Sequence, residues 1–182
     1  MRVVAGKYRG KKLKEFNLDT TKPTIDRVKE SIFASIQFDV IDAVVLDLFS
    51  GTGALGIEAI SRGAKKVFLV DKNIHAINII KQNLNGIDGD YVVKNQDYIS
   101  FLNEVKVKFD IVLLDPPYKT DFGVKSIELL LKNDLLNDNA IIMFETGEDA
   151  NVELNFPQFE ITKKKYGTVL VYKMVKNNEQ RI

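Results

Sequence analysis

Asp115-Pro116-Pro117-Tyr118 is the segment whose residue types most directly imply chemistry. Consecutive prolines cannot continue a strand ladder, and they hold the residue before them extended. The Asp115 carboxylate and the Pro116 carbonyl therefore become rigid acceptors at a strand end, with Tyr118 beside them as a stacking face. Two such acceptors fit the planar exocyclic –NH2 of a nucleobase, a poor nucleophile because its lone pair is delocalised into the ring. Accepting both N–H bonds favours a pyramidal nitrogen whose lone pair is free to attack a methyl group, and Asp115 can also take the departing proton. The catalytic candidates are thus Asp115, Pro116, Pro117 and Tyr118.

A second segment could hold the methyl donor. An apolar run, 44–48, meets Phe49 and Ser50 and then Gly51-Thr52-Gly53-Ala54-Leu55-Gly56. Glycines here let a ligand approach the backbone, and the helix that follows offers unpaired N–H groups. Taken literally this is G-x-G-x-x-G, and Asp71 falls 20 residues after Gly51, the fingerprint of a nicotinamide dinucleotide site. Asp47, just before the turn, points elsewhere. A carboxylate facing the ligand suits the amino group and sulfonium of S-adenosylmethionine better than it suits a pyrophosphate. Asp71, ending the next strand, can accept both ribose hydroxyls with Lys72 beside it. Asp97, with Tyr98, can accept from the adenine amino group or cap a short helix. The candidate donor site is Asp47, Phe49, Ser50, Gly51, Thr52, Gly53, Asp71, Lys72, Asp97 and Tyr98. His75, the single histidine, reads as a surface residue, and Phe33 and Phe38 read as core.

These residues need a sheet to bring them together. From residue 44 the pattern alternates strand and helix: strands 44–48, 66–70, 91–95, 110–114 and 140–145, and helices 53–62, 73–85, 98–104 and 123–132. Such repetition implies an α/β fold with a mostly parallel sheet and helices on both faces. Two closing strands, 159–164 and 168–175, joined at Tyr166-Gly167, make the sheet mixed at one end. Upstream, Thr24 is a candidate N-cap for a helix over 25–38. Residues 1–21 read as a basic arm, a small β-hairpin appended to a single domain spanning 1–182.

Composition narrows the chemistry. With 45% hydrophobic and 28% charged residues the chain reads as soluble and globular. It holds no cysteine, which excludes thiolate zinc sites and a covalent cysteine route to ring-carbon methylation, leaving nitrogen or oxygen as target. No metal is expected. No apolar stretch reaches the roughly 20 residues that span a bilayer, and the cytoplasm is the expected location. The net charge is +1, but its distribution is uneven. Arg2, Lys7, Arg9, Lys11 and Lys12 crowd the arm, and Lys163, Lys164 and Lys165 form a second basic group; both suit a polyanion such as RNA.

The motifs resemble those of the RsmD family, bacterial methyltransferases acting on a guanine N2 of 16S ribosomal RNA. The likeness runs nearly the whole length. It includes Arg2-Val3-Val4-Ala5-Gly6-Lys7-Tyr8-Arg9-Gly10, Lys22-Pro23-Thr24 with Asp26-Arg27-Val28-Lys29-Glu30, Asp47 to Gly56, Asp115 to Tyr118, and Lys165-Tyr166-Gly167-Thr168. Lys22 stands where the family's usual residue is arginine, which removes a bidentate contact there. The resemblance implies a Rossmann-like class I methyltransferase fold with a seven-stranded sheet. It implies S-adenosylmethionine as methyl donor, and a segment around Pro23, Thr24 and Arg27 that closes over it. The implied substrate is 16S rRNA in the 30S subunit or an assembly intermediate. Three other readings stand beside it: an NAD-dependent oxidoreductase, an amino-methyltransferase acting on DNA adenine N6, and a non-catalytic RNA-binding assembly factor.

Overall fold

The computed structural model describes residues 1–16 and 23–178, with side chains 23–25 outside the description. A seven-stranded sheet forms its centre. In chain order the strands are β1 (Val44–Leu48), β2 (Lys66–Asp71), β3 (Tyr91–Asn95), β4 (Phe109–Leu114), β5 (Leu136–Gly147), β6 (Phe159–Tyr166) and β7 (Val169–Lys176). Across the sheet they run β3-β2-β1-β4-β5-β7-β6. The first five are parallel, β7 lies antiparallel between β5 and β6, and the sheet is mixed as the sequence implies.

Among the described residues the α-helices are α1 (Pro23–Ser35), α2 (Ala54–Ser61), α3 (Ile74–Asn83), α4 (Tyr98–Glu104) and α5 (Phe122–Lys132). Strand side chains alternate between two apolar layers. Val45, Val67, Leu69, Ile111 and Leu113 pack with α1, α2 and α3, whereas Leu46, Leu48, Phe68, Val70, Val112 and Leu114 pack with α4 and α5. Burial on both faces is why these strands read as near-continuous apolar runs. Asn73 caps α3 by accepting from His75 N–H at 2.9 Å.

Several boundaries differ from the sequence reading. Proline suits a first helical turn, and α1 begins at Pro23, so Thr24 lies inside the helix instead of capping it. The helix ends at Ser35, and Phe38, beyond it, is 79% exposed and not core. β5 begins earlier than expected, at Leu136, because an irregularity between Phe109 and Ile111 absorbs the polar Asn137-Asp138-Asn139.

The arm doubles back as a hairpin held by an antiparallel bridge between Arg2 and Lys12. It is more than an appendage. Val3 and Leu13 are buried in the α1–α3 layer. The N–H groups of Val4 and Ala5 donate to the two oxygens of Glu58 on α2, at 2.9 and 3.0 Å. Glu58 is fully buried and also meets Lys29 of α1 at 3.4 Å and Arg62 at 2.9 Å. Gly6, at φ +85°, lies so close to α2 that a Cβ would sit 1.9 Å from the Ser61 carbonyl oxygen. Among the described residues, no helix is long and apolar enough to cross a membrane.

Candidate active site

The parallel strands end along one edge, and the loops leaving β1, β2, β3 and β4 enclose a cleft of about 450 Å³. Ligands of open α/β sheets bind at this edge. The cleft is lined by Phe49, Gly51, Asp71, Lys72, Asp97, Tyr98 and the whole of Asp115-Pro116-Pro117-Tyr118, together with Leu48, Val70, Gln96 and Phe122.

The turn after β1 is unusual in its backbone. Phe49, Gly51 and Gly53 have φ of 65°, 58° and 81°. Glycine takes such angles freely, but phenylalanine in the left-handed region costs on the order of 1–3 kcal/mol. Aromatic packing holds Phe49 there, with its ring 5.3 Å from Tyr98 and 6.3 Å from Phe122. Asp71 braces the same turn: Oδ2 accepts from Gly51 N–H at 2.9 Å and Oδ1 from Asn73 N–H at 2.8 Å. Each oxygen keeps a lone pair for a hydroxyl entering the cleft. Asp97 has a divided role. Its Oδ1 caps α4 by accepting from Ile99 and Ser100 N–H, both at 3.1 Å, while among the described residues no backbone N–H donates to Oδ2. A hydrogen bond from the Ser100 side chain first, and then those from the Ser100 and Ile99 backbone, hold its carboxyl below the usual range.

Asp47 does not line the cleft. In β1 it shares a side with Val45, so the alternation turns it beneath α2. Its Oδ2 accepts from Ser50 Oγ at 2.7 Å and Gly56 N–H at 2.9 Å. Only 1% of it is exposed, and burial pushes its carboxyl up to about 6. It braces the glycine turn from below, with Ser50 buried beside it. Gly53 heads α2, and the Thr52 carbonyl accepts from Asn83 Nδ2 at 2.9 Å; neither lines the cleft. Arg27 is exposed on α1 and also lies outside the lining. The expectation that Pro23 and Thr24 contact a donor falls on side chains outside the described residues.

At the opposite wall Pro116 is buried, Asp115 half-buried, and Tyr118 is 52% exposed. Leu114 of β4 pairs with Phe144 of β5, so the next residues, Asp115 just past β4 and Glu145 still within β5, lie side by side. Tyr118 Oη donates to Glu145 Oε1 at 3.3 Å. Burial first, and then the charges of Glu145 and Asp47, push the Asp115 carboxyl well above the usual range. Burial also raises Glu145, against the opposing Tyr118 hydrogen bond. Sequence reading missed Glu145, Gln96 and Phe122. Glu145 lies inside β5, and its place beside Asp115 depends on the pairing of β5 with β4, which the local sequence does not mark. Among the described residues, no cluster of histidine and acidic groups could hold a metal ion.

The basic residues lie apart from the cleft. Arg2, Arg9, Lys12, Lys163 and Lys164 are exposed. Lys7 lies 4.0 Å from Asp88, Lys11 donates to the Asn85 carbonyl at 2.5 Å, and Lys165 meets Glu148 at 2.6 Å.

A parallel sheet reversed by an antiparallel β7, with an acid-lined cleft over its carboxyl edge, defines the Rossmann-like class I methyltransferase fold. The family described as conserved hypothetical protein 95 matches residues 1–175. Ribosomal RNA small subunit methyltransferase D of Haemophilus influenzae is 34% identical, over 97% of this chain and 94% of that protein. Its namesake in Escherichia coli K12 is 30% identical, over 99% and 91%. The solved structure of yhhF from Escherichia coli superposes with a TM-score of 0.88 at 29% identity, covering 98% of this chain and 99% of that one. The chain belongs to the RsmD family.

Proposed function

We propose that this protein transfers a methyl group from S-adenosylmethionine to the exocyclic N2 of a guanine in 16S rRNA, within the 30S subunit or an assembly intermediate. Its relatives are small-subunit rRNA methyltransferases by name, and the exposed basic residues of the arm and β6 suit an RNA backbone. One observation carries the reading: the Asp115–Pro116 acceptor pair, with the exposed Tyr118 ring, stands on the wall of the same cleft that Asp71 and Asp97 line.

The cleft suits the donor and not a dinucleotide. Asp71 and Asp97 offer acceptors to ribose hydroxyls and an adenine amino group, and the Phe49–Tyr98–Phe122 cluster supplies apolar walls. Three carboxylates, Asp71, Asp97 and Asp115, face one lysine, Lys72. That balance repels a pyrophosphate and attracts a cation, which argues against the oxidoreductase reading. When bound, the donor supplies a methyl group already activated by a positively charged sulfur.

The protein's own residues do the rest. Tyr118 offers a face on which an extruded base can stack. Asp115 and the Pro116 carbonyl accept the two N2–H bonds, which sharpens the nitrogen lone pair and fixes its direction. Such positioning can supply roughly 7–11 kcal/mol. The Asp115 carboxylate takes the proton released as the N–C bond forms. Because its carboxyl is raised, activity should climb as pH increases through the range where it ionises.

The test is labelled-methyl transfer to 30S particles from a strain lacking the enzyme, with the modified base located by mass mapping. Asp115→Ala should lower turnover by about 10²–10³-fold while donor binding, followed by calorimetry, persists. Undiminished turnover in that variant overturns the reading.

A further inference from the structure

We propose that Glu145 reads the N1–H of the target base and so makes the site select guanine over bases that present an acceptor at that position. The assignment rests on the N2-methylation reading above and adds the residue that determines specificity.

Strand order separates the two sides of the site. Gly51, Asp71 and Asp97 leave β1, β2 and β3 on one side of β4, whereas Glu145 belongs to β5 on the other. It sits outside the cleft lining, on the strand beyond β4 and bonded to Tyr118 of the cleft wall. Adjacent strands lie about 4.8 Å apart, so the two carboxylates present neighbouring acceptors.

The partners of Glu145 leave one acceptor over. Oε1 receives the Tyr118 hydroxyl, and among the described residues nothing donates to Oε2. Neither Glu145 nor Asp115 has a cationic partner among the described residues, although both are half-buried and side by side. Such a pair is costly unless a ligand supplies donors. The Watson–Crick edge of guanine supplies them in the right order, N2–H2 followed by N1–H. Adenine and cytosine place a lone pair next to their amino group, directly against the Glu145 carboxylate. Sites built to hydrogen-bond a donor reject analogues lacking it by about 10⁴-fold or more. The hydrogen bond from Tyr118 holds Glu145 in place while the ring stacks, so the stacking residue also fixes the reading residue.

The test compares guanine with 2-aminopurine at the mapped target position of 16S rRNA reconstituted into 30S particles. Both bases carry a 2-amino group, but 2-aminopurine has a bare N1 acceptor. Wild-type enzyme should prefer guanine strongly in kcat/KM. Glu145→Gln keeps the shape and an acceptor for Tyr118, and its amide N–H can donate to the bare N1. The guanine preference should then fall at least 100-fold, through loss with guanine and gain with 2-aminopurine. Calorimetric donor binding by the variant reports that it is folded. If both substrates slow in parallel and the preference is unchanged, Glu145 is merely structural and the assignment fails. If wild-type enzyme places its label on an atom other than guanine N2, the function proposed above fails and takes the assignment with it.

Discussion

Replacing Glu58 by Gln tests how the arm, α1 and α2 are joined. Glu58 is 0% exposed and Lys29 2% exposed, with Nζ 3.4 Å from Oε2. The same carboxylate accepts from Val4 N–H, Ala5 N–H and Arg62 Nε, and Lys29 also donates to the Arg2 carbonyl. Glutamine removes the charge and must turn its NH2 toward one pair of donors, so two N–H groups lose an acceptor while Lys29 stays buried. Removing one partner of a buried ion pair costs about 3–5 kcal/mol. Against a total stability of about 5–15 kcal/mol this is a large fraction. With a urea slope of ~2 kcal/mol per molar, the unfolding midpoint should drop by about 1.5–2.5 M. The thermal midpoint should fall by roughly 6–20 °C for a chain of this size. Equilibrium urea unfolding followed by circular dichroism measures the first, and calorimetry the second. Exchanging both Glu58 and Lys29 for apolar residues of similar volume should recover much of the loss, because the desolvation cost of the pair disappears with it. A loss below about 1 kcal/mol for the single variant would refute the reasoning, since it would mean that the network is not holding these elements together.

Two further expectations concern stability. The Asp47 carboxyl stands at about 6 in the folded chain against 3.8 for the ordinary group, so the folded state binds this proton more tightly and ionisation opposes folding. That penalty is absent below about pH 4 and complete above about pH 6, and the two-unit lift corresponds to about 3 kcal/mol. Asp47→Asn, which keeps an acceptor for Ser50 and Gly56, should therefore gain about 3 kcal/mol on wild type between about pH 4 and pH 7; a difference that stays constant across this range contradicts the argument. Gly6→Ala meets a backbone oxygen that cannot yield and adds strain of about 1–3 kcal/mol. It should release the arm, seen as faster hydrogen exchange at the Val4, Ala5 and Tyr8 amides, while unaltered exchange would show that the contact at Ser61 is tolerated.

Much of the fold was legible because β1, β2 and β4 are buried on both faces and show it as near-continuous apolar runs. β5 was legible only from Ala140 onward, since Asn137-Asp138-Asn139 looks like a loop and the paired strand that carries it is remote in sequence. The Asp115–Tyr118 wall, Asp71 and Asp97 could be read from residues alone, as each ends or follows a strand. Asp47 misled because a strand-end acid was taken to face the ligand, although its period-two partnership with Val45 turns it inward. Glu145 escaped because its meaning depends on β5 lying beside β4, an adjacency that no local pattern records. Glu58 escaped for the same reason: nothing near residue 58 says that the amides of residues 4 and 5 will reach it.

The placement of β7 between β5 and β6 has a consequence for how the polypeptide is assembled during translation. β6 is made before β7, yet it has no slot in the sheet until its successor arrives to bridge it to β5. A ribosome stalled between Tyr166 and Val169 would therefore leave β6 dangling and one flank of β5, next to the reacting groups, open to pairing with any passing strand. Registration of a single eight-residue segment closes that flank.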